Sequence, residues 1–172
     1  MNAGSEPMHN SANLSAAACA GIAAGILATV VQIALWSVFA DALPSILFRD
    51  ARFAAAIVLG RGVLTPSASF NGPVMLVATL VHVALSIAYG MALSPLISRL
   101  RTAPSLLAGA AFGLCLYGIN MYGFTAVFPW FEATRDWITL VTHVVFGVAV
   151  AGTYKKLQHR PYVRVRRELD GN

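Results

Sequence analysis

Two histidines interrupt runs that are otherwise apolar. His82 closes Thr79-Leu80-Val81-His82, and His143 closes Thr139-Leu140-Val141-Thr142-His143. Imidazole changes charge near neutral pH, moves protons and ligates metals. In a run long enough to cross a membrane such a group is costly, so it marks function or internal pairing. Two amides, Gln32 and Asn120, accompany the histidines in the other two apolar runs. At a rise of about 1.5 Å per residue, Gln32, His82 and Asn120 lie about 12 Å below the outer ends of their helices, and His143 about 10 Å. One polar side chain per helix then falls in a single layer. Hydrocarbon offers these groups no partner, so they are expected to turn inward, shielded from lipid, toward each other or water.

Three chemistries fit this layer. The four groups can form a clasp that hydrogen-bonds across helices and fixes their packing. They can form a proton-responsive or small-solute site, with Asp41, Asp50, Glu132 and Asp136 gathered at the outer mouth beside Arg49, Arg52, Arg61 and Arg135. Or His82 and His143 can ligate a haem or transition metal from two helices, although no Cys or acid shares the layer to complete a metal set. Soluble-type catalysis is not expected. Ser86 lies one turn beyond His82, but no carboxylate orients that histidine as a triad requires. Gly60-Arg61-Gly62 lacks the lysine and following helix of a phosphate-binding loop. The layer points to no enzyme, no resident metal and no obligatory cofactor.

The elements that position the layer follow from composition. The 172 residues are 58% hydrophobic and 11% charged, with a mean hydropathy of +0.69. A soluble domain carries about a quarter charged residues, so the chain belongs in a lipid bilayer. Apolar runs cover about 14–40, 74–98, 103–128 and 136–154, each beyond the roughly 18 residues that mark a candidate span. The expected fold is an all-α membrane protein, a four-transmembrane-helix bundle over 14–154. Residues 1–13 read as a disordered tail. No Lys or Arg precedes the first run, so a cleaved signal peptide is not expected. In the first outer loop, Pro44 to Leu59 reads as a helix too short to span, lying in the interface or dipping into it.

Eight Lys and Arg (Arg99, Arg101 and six in 155–172) fall on the side of the termini, against four on the other. This bias places both termini in the cytoplasm. The basic tail 155–172 is expected to rest on anionic lipid headgroups, which makes nucleic acid a poor reading of the net charge of +5. Trp36, Trp130 and Trp137 fall at the outer boundary as an interfacial belt. Cys19 and Cys115 differ in height, too far for a disulfide, and read as packing residues.

An internal repeat is also visible. Ala20-Gly21-Ile22-Ala23-Ala24-Gly25 and Ala108-Gly109-Ala110-Ala111-Phe112-Gly113 share the pattern A-G-x-A-x-G, whose small-xxx-small spacing lets helices approach closely. Gln32 and Asn120 follow the first glycine at the same distance, and so do Trp36 and Phe124. The chain reads as two tandem helix hairpins related by a pseudo-two-fold axis along the membrane normal.

Thr79-Leu80-Val81-His82 with Ser86-Ile87, Leu106-Leu107-Ala108-Gly109-Ala110, Pro129-Trp130-Phe131-Glu132 and His143-Val144-Val145 resemble segments of the YagU-like bacterial inner-membrane proteins. The resemblance covers about 74–150. It implies a multi-pass protein of the bacterial inner membrane, a part in acid resistance and no established chemistry. Some relatives carry a sodium:proline symporter label, but four spans are too few for the broken-helix repeats of such carriers unless the protein oligomerises. The chain departs from the family at Asn120, where a histidine is expected, and in the first outer loop. The functional expectation is a small membrane module with His82 and His143 as its sensitive groups. Its main rival is a structural subunit that binds a second copy or another membrane partner.

Overall fold

The computed structural model describes residues 13–40, 43–65 and 69–158. Helices begin where a capping side chain precedes an apolar run, because the first-turn N–H groups have no partner within the helix. Asn13 accepts from the Ala16 N–H at 3.0 Å and starts α1 (Leu14–Phe39). The amphipathic α2 (Ser45–Leu59) has no side-chain cap and stops at Gly60, whose φ of 78° suits a residue without Cβ. Asn71 accepts from Val74 N–H at 3.1 Å and starts α3 (Gly72–Ser98), with Pro73 tolerated in the first turn. After a short turn comes α4 (Thr102–Gly118), extended by a π-helical turn (Ile119–Gly123) and a 3-10 turn (Phe124–Ala126). Asp136 accepts from Thr139 N–H at 2.7 Å at the start of α5 (Trp137–Gln158).

The four stretches Leu14–Phe39, Gly72–Ser98, Thr102–Ala126 and Trp137–Gln158 are each long and apolar enough to cross a membrane. The chain is thus an all-α multi-pass membrane protein, and the expected spans hold to within a few residues. The largest shift is at the end of α5. It carries Lys155 and Lys156 as helical residues rather than as the start of a tail, and Lys155 is buried because its ammonium bonds to the end of α3. The tails at 1–12 and 159–172 and the mouth residue Asp41 lie outside the described residues.

Two helix pairs share one packing device. On α1, a Cβ at Gly21 would collide with the carbonyl of Ser86 on α3; on α4, a Cβ at Gly109 would collide with the carbonyl of Gly147 on α5. One turn on, Gly25 faces His82 and Ser86, and Gly113 faces the His143 backbone. Ser86 stands four residues after His82, and Gly147 four after His143, so the repeated glycines meet equivalent positions. The symmetry stops there. α1 also packs closely along α5, whereas α3 and α4 touch only sparsely.

The core sits at the end of the bundle that carries both termini. Ala17, Ala20, Leu93, Ile97, Val150 and Tyr154 are buried there in one cluster. Toward the loop end the helices part. There α2 lies against α3, with Ala55 buried among Val74 and Ala78. The second loop folds over in turn: Trp130 donates its indole N–H to the Phe53 carbonyl at 3.1 Å, and the rings of Phe53 and Phe131 meet edge-on at 6.1 Å. These two segments form a roof.

Two expectations are corrected. Trp36 is not part of a lipid-facing belt but is buried, with its Nε1 unpartnered among the described residues. It continues the stripe Gly21, Gly25, Ala28 and Gln32, which turns into the bundle. Cys19 and Cys115 are not packing residues. Both are free and exposed on the outside of the helices.

Candidate functional site

Beneath the roof lies a cavity of about 560 Å³, bounded by α1 to α5 and the two loop segments. Its walls are mostly apolar, with Val81, Leu85, Leu116, Phe124, Phe128 and Phe146 prominent. All four residues of the predicted layer, Gln32, His82, Asn120 and His143, line it. The volume falls within the roughly 300–1,000 Å³ range of small-molecule sites.

The layer is two clusters rather than one ring. His82 Nε2 lies 3.3 Å from Thr29 Oγ1 and 3.4 Å from the Gly25 carbonyl on α1. Thr29 donates its own hydroxyl proton to that carbonyl at 2.9 Å. Both neighbours of Nε2 are therefore acceptors, which assigns the Nε2 position as the donor. His82 is not shielded as expected. The residue is exposed: Gly25 lets its Nε2 edge sit tightly against α1, but α3 and α4 touch only sparsely and leave its other side open.

The second cluster is a directional chain. Tyr89 on α3 donates its hydroxyl to Asn120 Oδ1 at 3.0 Å. Asn120 Nδ2 stands 3.3 Å from His143 Nε2, and His143 Nδ1 stands 2.7 Å from the Thr139 carbonyl. A carbonyl can only accept, so Nδ1 carries a proton and Nε2 accepts from the amide. Each group is satisfied when His143 is neutral. A second proton on the ring would set two donors face to face and force the Asn120 amide to turn, which would reverse its bond to Tyr89 so that the hydroxyl accepts from Nδ2. Asn120 sits in the π turn, a distortion that recurs at functional sites. The turn is braced by Arg135, which donates to the Met121 carbonyl at 2.6 Å and to Thr125 Oγ1 at 2.8 Å and lies over the Tyr122 ring.

Two lining groups lack hydrogen-bond partners among the described residues. Gln32 has none, so it does not join either cluster. Thr139 Oγ1 is buried and unsatisfied in the cavity wall beside His143.

The mouth charges occupy several distinct settings. Glu132 pairs with Arg135 at 2.8 Å on the surface, Asp136 caps α5, Arg52 donates to the carbonyls of Val63 and Ser69, and Arg61 lies over the Trp130 ring. Among the described mouth charges, Asp50 alone lines the cavity. Its carboxylate is only 20% exposed and lies 2.8 Å from Arg49 Nε. Burial pushes its pKa from 3.8 up to about 6; the Arg49 hydrogen bond and charge pull the other way, and Asp136 adds to the rise. Sequence reasoning put Asp50 at the mouth and missed its place in the wall. The signal was the spacing Asp50, Ala54, Ile57, Val58, one face of a helix, and these four residues are the α2 lining. Tyr89, Thr29 and Thr139 were missed as well, since nothing local marks a hydroxyl as a relay.

Among the described residues no group of three His, Cys, Asp or Glu could hold a metal. A haem or metal held by both histidines would need His143 Nε2, which faces Asn120, so that amide would have to be displaced first. No family model matches the chain, and neither does any curated protein or solved structure, so its function has to be argued from this cavity.

Proposed function

We propose that the chain is a non-enzymatic binding module of the membrane, taking a small, largely apolar molecule with a polar end into the cavity, with binding governed by protonation. The observation that carries this reading is the convergence of Asp50, His82 and His143 on one mostly apolar chamber. A carboxylate with a pKa of about 6 is neutral in mildly acidic surroundings and charged above them. An uncharged guest then meets a neutral Asp50 at low pH and a desolvated anion there at high pH. The charged groups bearing on Asp50 are Arg49 beside it on α2, which favours the anion, and Asp136 at the start of α5, which opposes it. The Lys and Arg bias supports cytoplasmic termini, which puts the roof outside. The resemblance to YagU-like inner-membrane proteins supports a bacterial inner membrane and a link to acid.

Native mass spectrometry of the full chain released from mild detergent tests this. A small adduct should be retained at pH 5, lost by pH 8, and absent at both from Ala54→Trp, which fills the chamber. A wild type that carries nothing at either pH, and gives no melting shift with any apolar additive, would sink the binding reading.

A second reading has its own support. The bonds Thr29–His82 and Tyr89–Asn120–His143 cross between helices, as a purely structural clasp would. It requires that His82→Gln with His143→Gln lower stability while leaving any pH response unchanged.

A further inference from the structure

The described acids, Asp50, Glu132 and Asp136, all lie at the loop end of the bundle. The terminal end holds cations and, among the described residues, no counter-ion. A recess there is lined by Arg99, Arg101 and Lys155, with Thr102 and Gln158. Lys155 is 5% exposed, and its Nζ donates to the Ser98 carbonyl at 3.1 Å and to Gln158 Oε1 at 3.3 Å. Closing the end of α3 explains the position of this side chain, and the carbonyl end of that helix favours a cation, but it supplies no full counter-charge. Gln158 Nε2, a neutral donor, reaches the same Ser98 carbonyl at 3.3 Å. Both partners of Lys155 are neutral, so among the described residues only the carbonyl end of the α3 dipole offsets its charge, and an anion in the recess would add the ionic partner it lacks.

The same recess is edged by the start of α4, which has no side-chain cap. Ser105 N–H bonds to the Arg101 carbonyl and Pro104 has no N–H, which leaves the Thr102 and Ala103 N–H groups without partners among the described residues. Arg99 and Arg101 are exposed and have no ion pair there. Surface arginines alone would be topology signals; the buried Lys155, with no ionic partner among the described residues, sets this place apart.

We infer that the recess is an oxyanion site that takes a phosphate group, with Lys155, Arg99 and Arg101 as charge partners and the first N–H groups of α4 as donors. It is independent of the cavity at the other end. The phosphate can belong to a lipid headgroup at the membrane surface or to a soluble species, since both present the same oxygens.

The test uses the full chain in uncharged detergent micelles, titrated with inorganic phosphate, with dihexanoyl phosphatidylglycerol, and with dihexanoyl phosphatidylcholine as a zwitterionic control. Binding is followed by melting temperature and calorimetry. Either of the first two should bind and raise the melting temperature more than the control does. Phosphatidylglycerol alone would assign a lipid headgroup, and inorganic phosphate a soluble ligand. Arg99→Gln with Arg101→Gln should weaken binding about tenfold or more, as expected for losing charge-assisted bonds, and Lys155→Met should abolish it. If Lys155→Met fails to fold, the exposed arginine pair still decides. The inference is overturned if neither anion binds beyond the control, or if the arginine variant binds as tightly as the wild type.

Discussion

Asp50→Asn separates a titrating wall from an inert one. In the folded chain the Asp50 pKa stands at about 6 against 3.8 for a free carboxyl. That gap corresponds to at most about 3 kcal/mol, at about 1.4 kcal/mol per unit. Proton counting gives the sign. Between about pH 4 and 6 the folded state keeps a proton that the unfolded chain has already released, so stability falls as pH rises through that window and is flat above it. The contribution is fully present below about pH 4 and gone above about 6. The carboxylate is 20% exposed, so solvent screens part of the effect and the figure is an upper bound.

Asparagine preserves shape and removes the titration. The difference between wild type and Asp50→Asn isolates this group, because both chains share His82, His143, Glu132 and Asp136. Equilibrium unfolding of the two in mixed micelles from pH 4 to 8 should give curves that diverge as pH rises, the variant becoming the more stable by about 1–3 kcal/mol at pH 7. Infrared titration of isotope-labelled aspartate should place one carboxyl near 6 in the wild type alone. Parallel unfolding curves, or labelled carboxyls that all titrate near 4, would refute the argument that burial in the chamber wall sets this group's charge.

The geometry sets three further outcomes. Asn120→Leu strands both the Tyr89 hydroxyl and His143 Nε2, and should lower stability by about 1–3 kcal/mol, with the Tyr117–His143 ring contact reporting the disturbance as a shifted imidazole resonance. Thr139→Val removes a buried hydroxyl that has no partner among the described residues; the protein should be unharmed or stabilised by about 1 kcal/mol in equilibrium unfolding. Gly147→Val drives a side chain into the α4 backbone at Gly109 and should cost about 3 kcal/mol, the upper end of overpacking, read as loss of the folded band in mild detergent.

Much of the architecture was legible because hydropathy and capping act locally. Asn13, Asn71 and Asp136 stand where a helix needs an acceptor, and the runs behind them are long and apolar. The depth of Gln32, His82, Asn120 and His143 came from rise per residue alone, and all four do line one chamber. The illegible part depends on tertiary closure. Only when α2 folds back does the face Asp50, Ala54, Ile57, Val58 acquire a neighbour. The π turn at Ile119–Gly123 has no composition of its own; its extra residue rotates the downstream side chains by about 100°. Trp36 and Phe124, equally spaced from their glycines, therefore end up in different settings, one buried and one exposed along the cavity.

The chamber itself grows out of a broken repeat. With the glycines aligned, Ala17, Ala20, Ala24 and Ala28 of α1 match Ser105, Ala108, Phe112 and Leu116 of α4. At the terminal end both helices present small residues, and the bundle is dense there. Toward the loop end α1 stays small and lies close along α5, while α4 places Phe112 and Leu116 where α1 has alanines, and the matching approach of α4 to α3 stays sparse. Two bulky side chains in one copy of a motif thus hold one seam open where its counterpart closes. Leu116 lines the space that results, and Tyr89 reaches from α3 to Asn120 across it. A perfectly repeated sequence would close both seams and leave His82 and His143 no chamber to share.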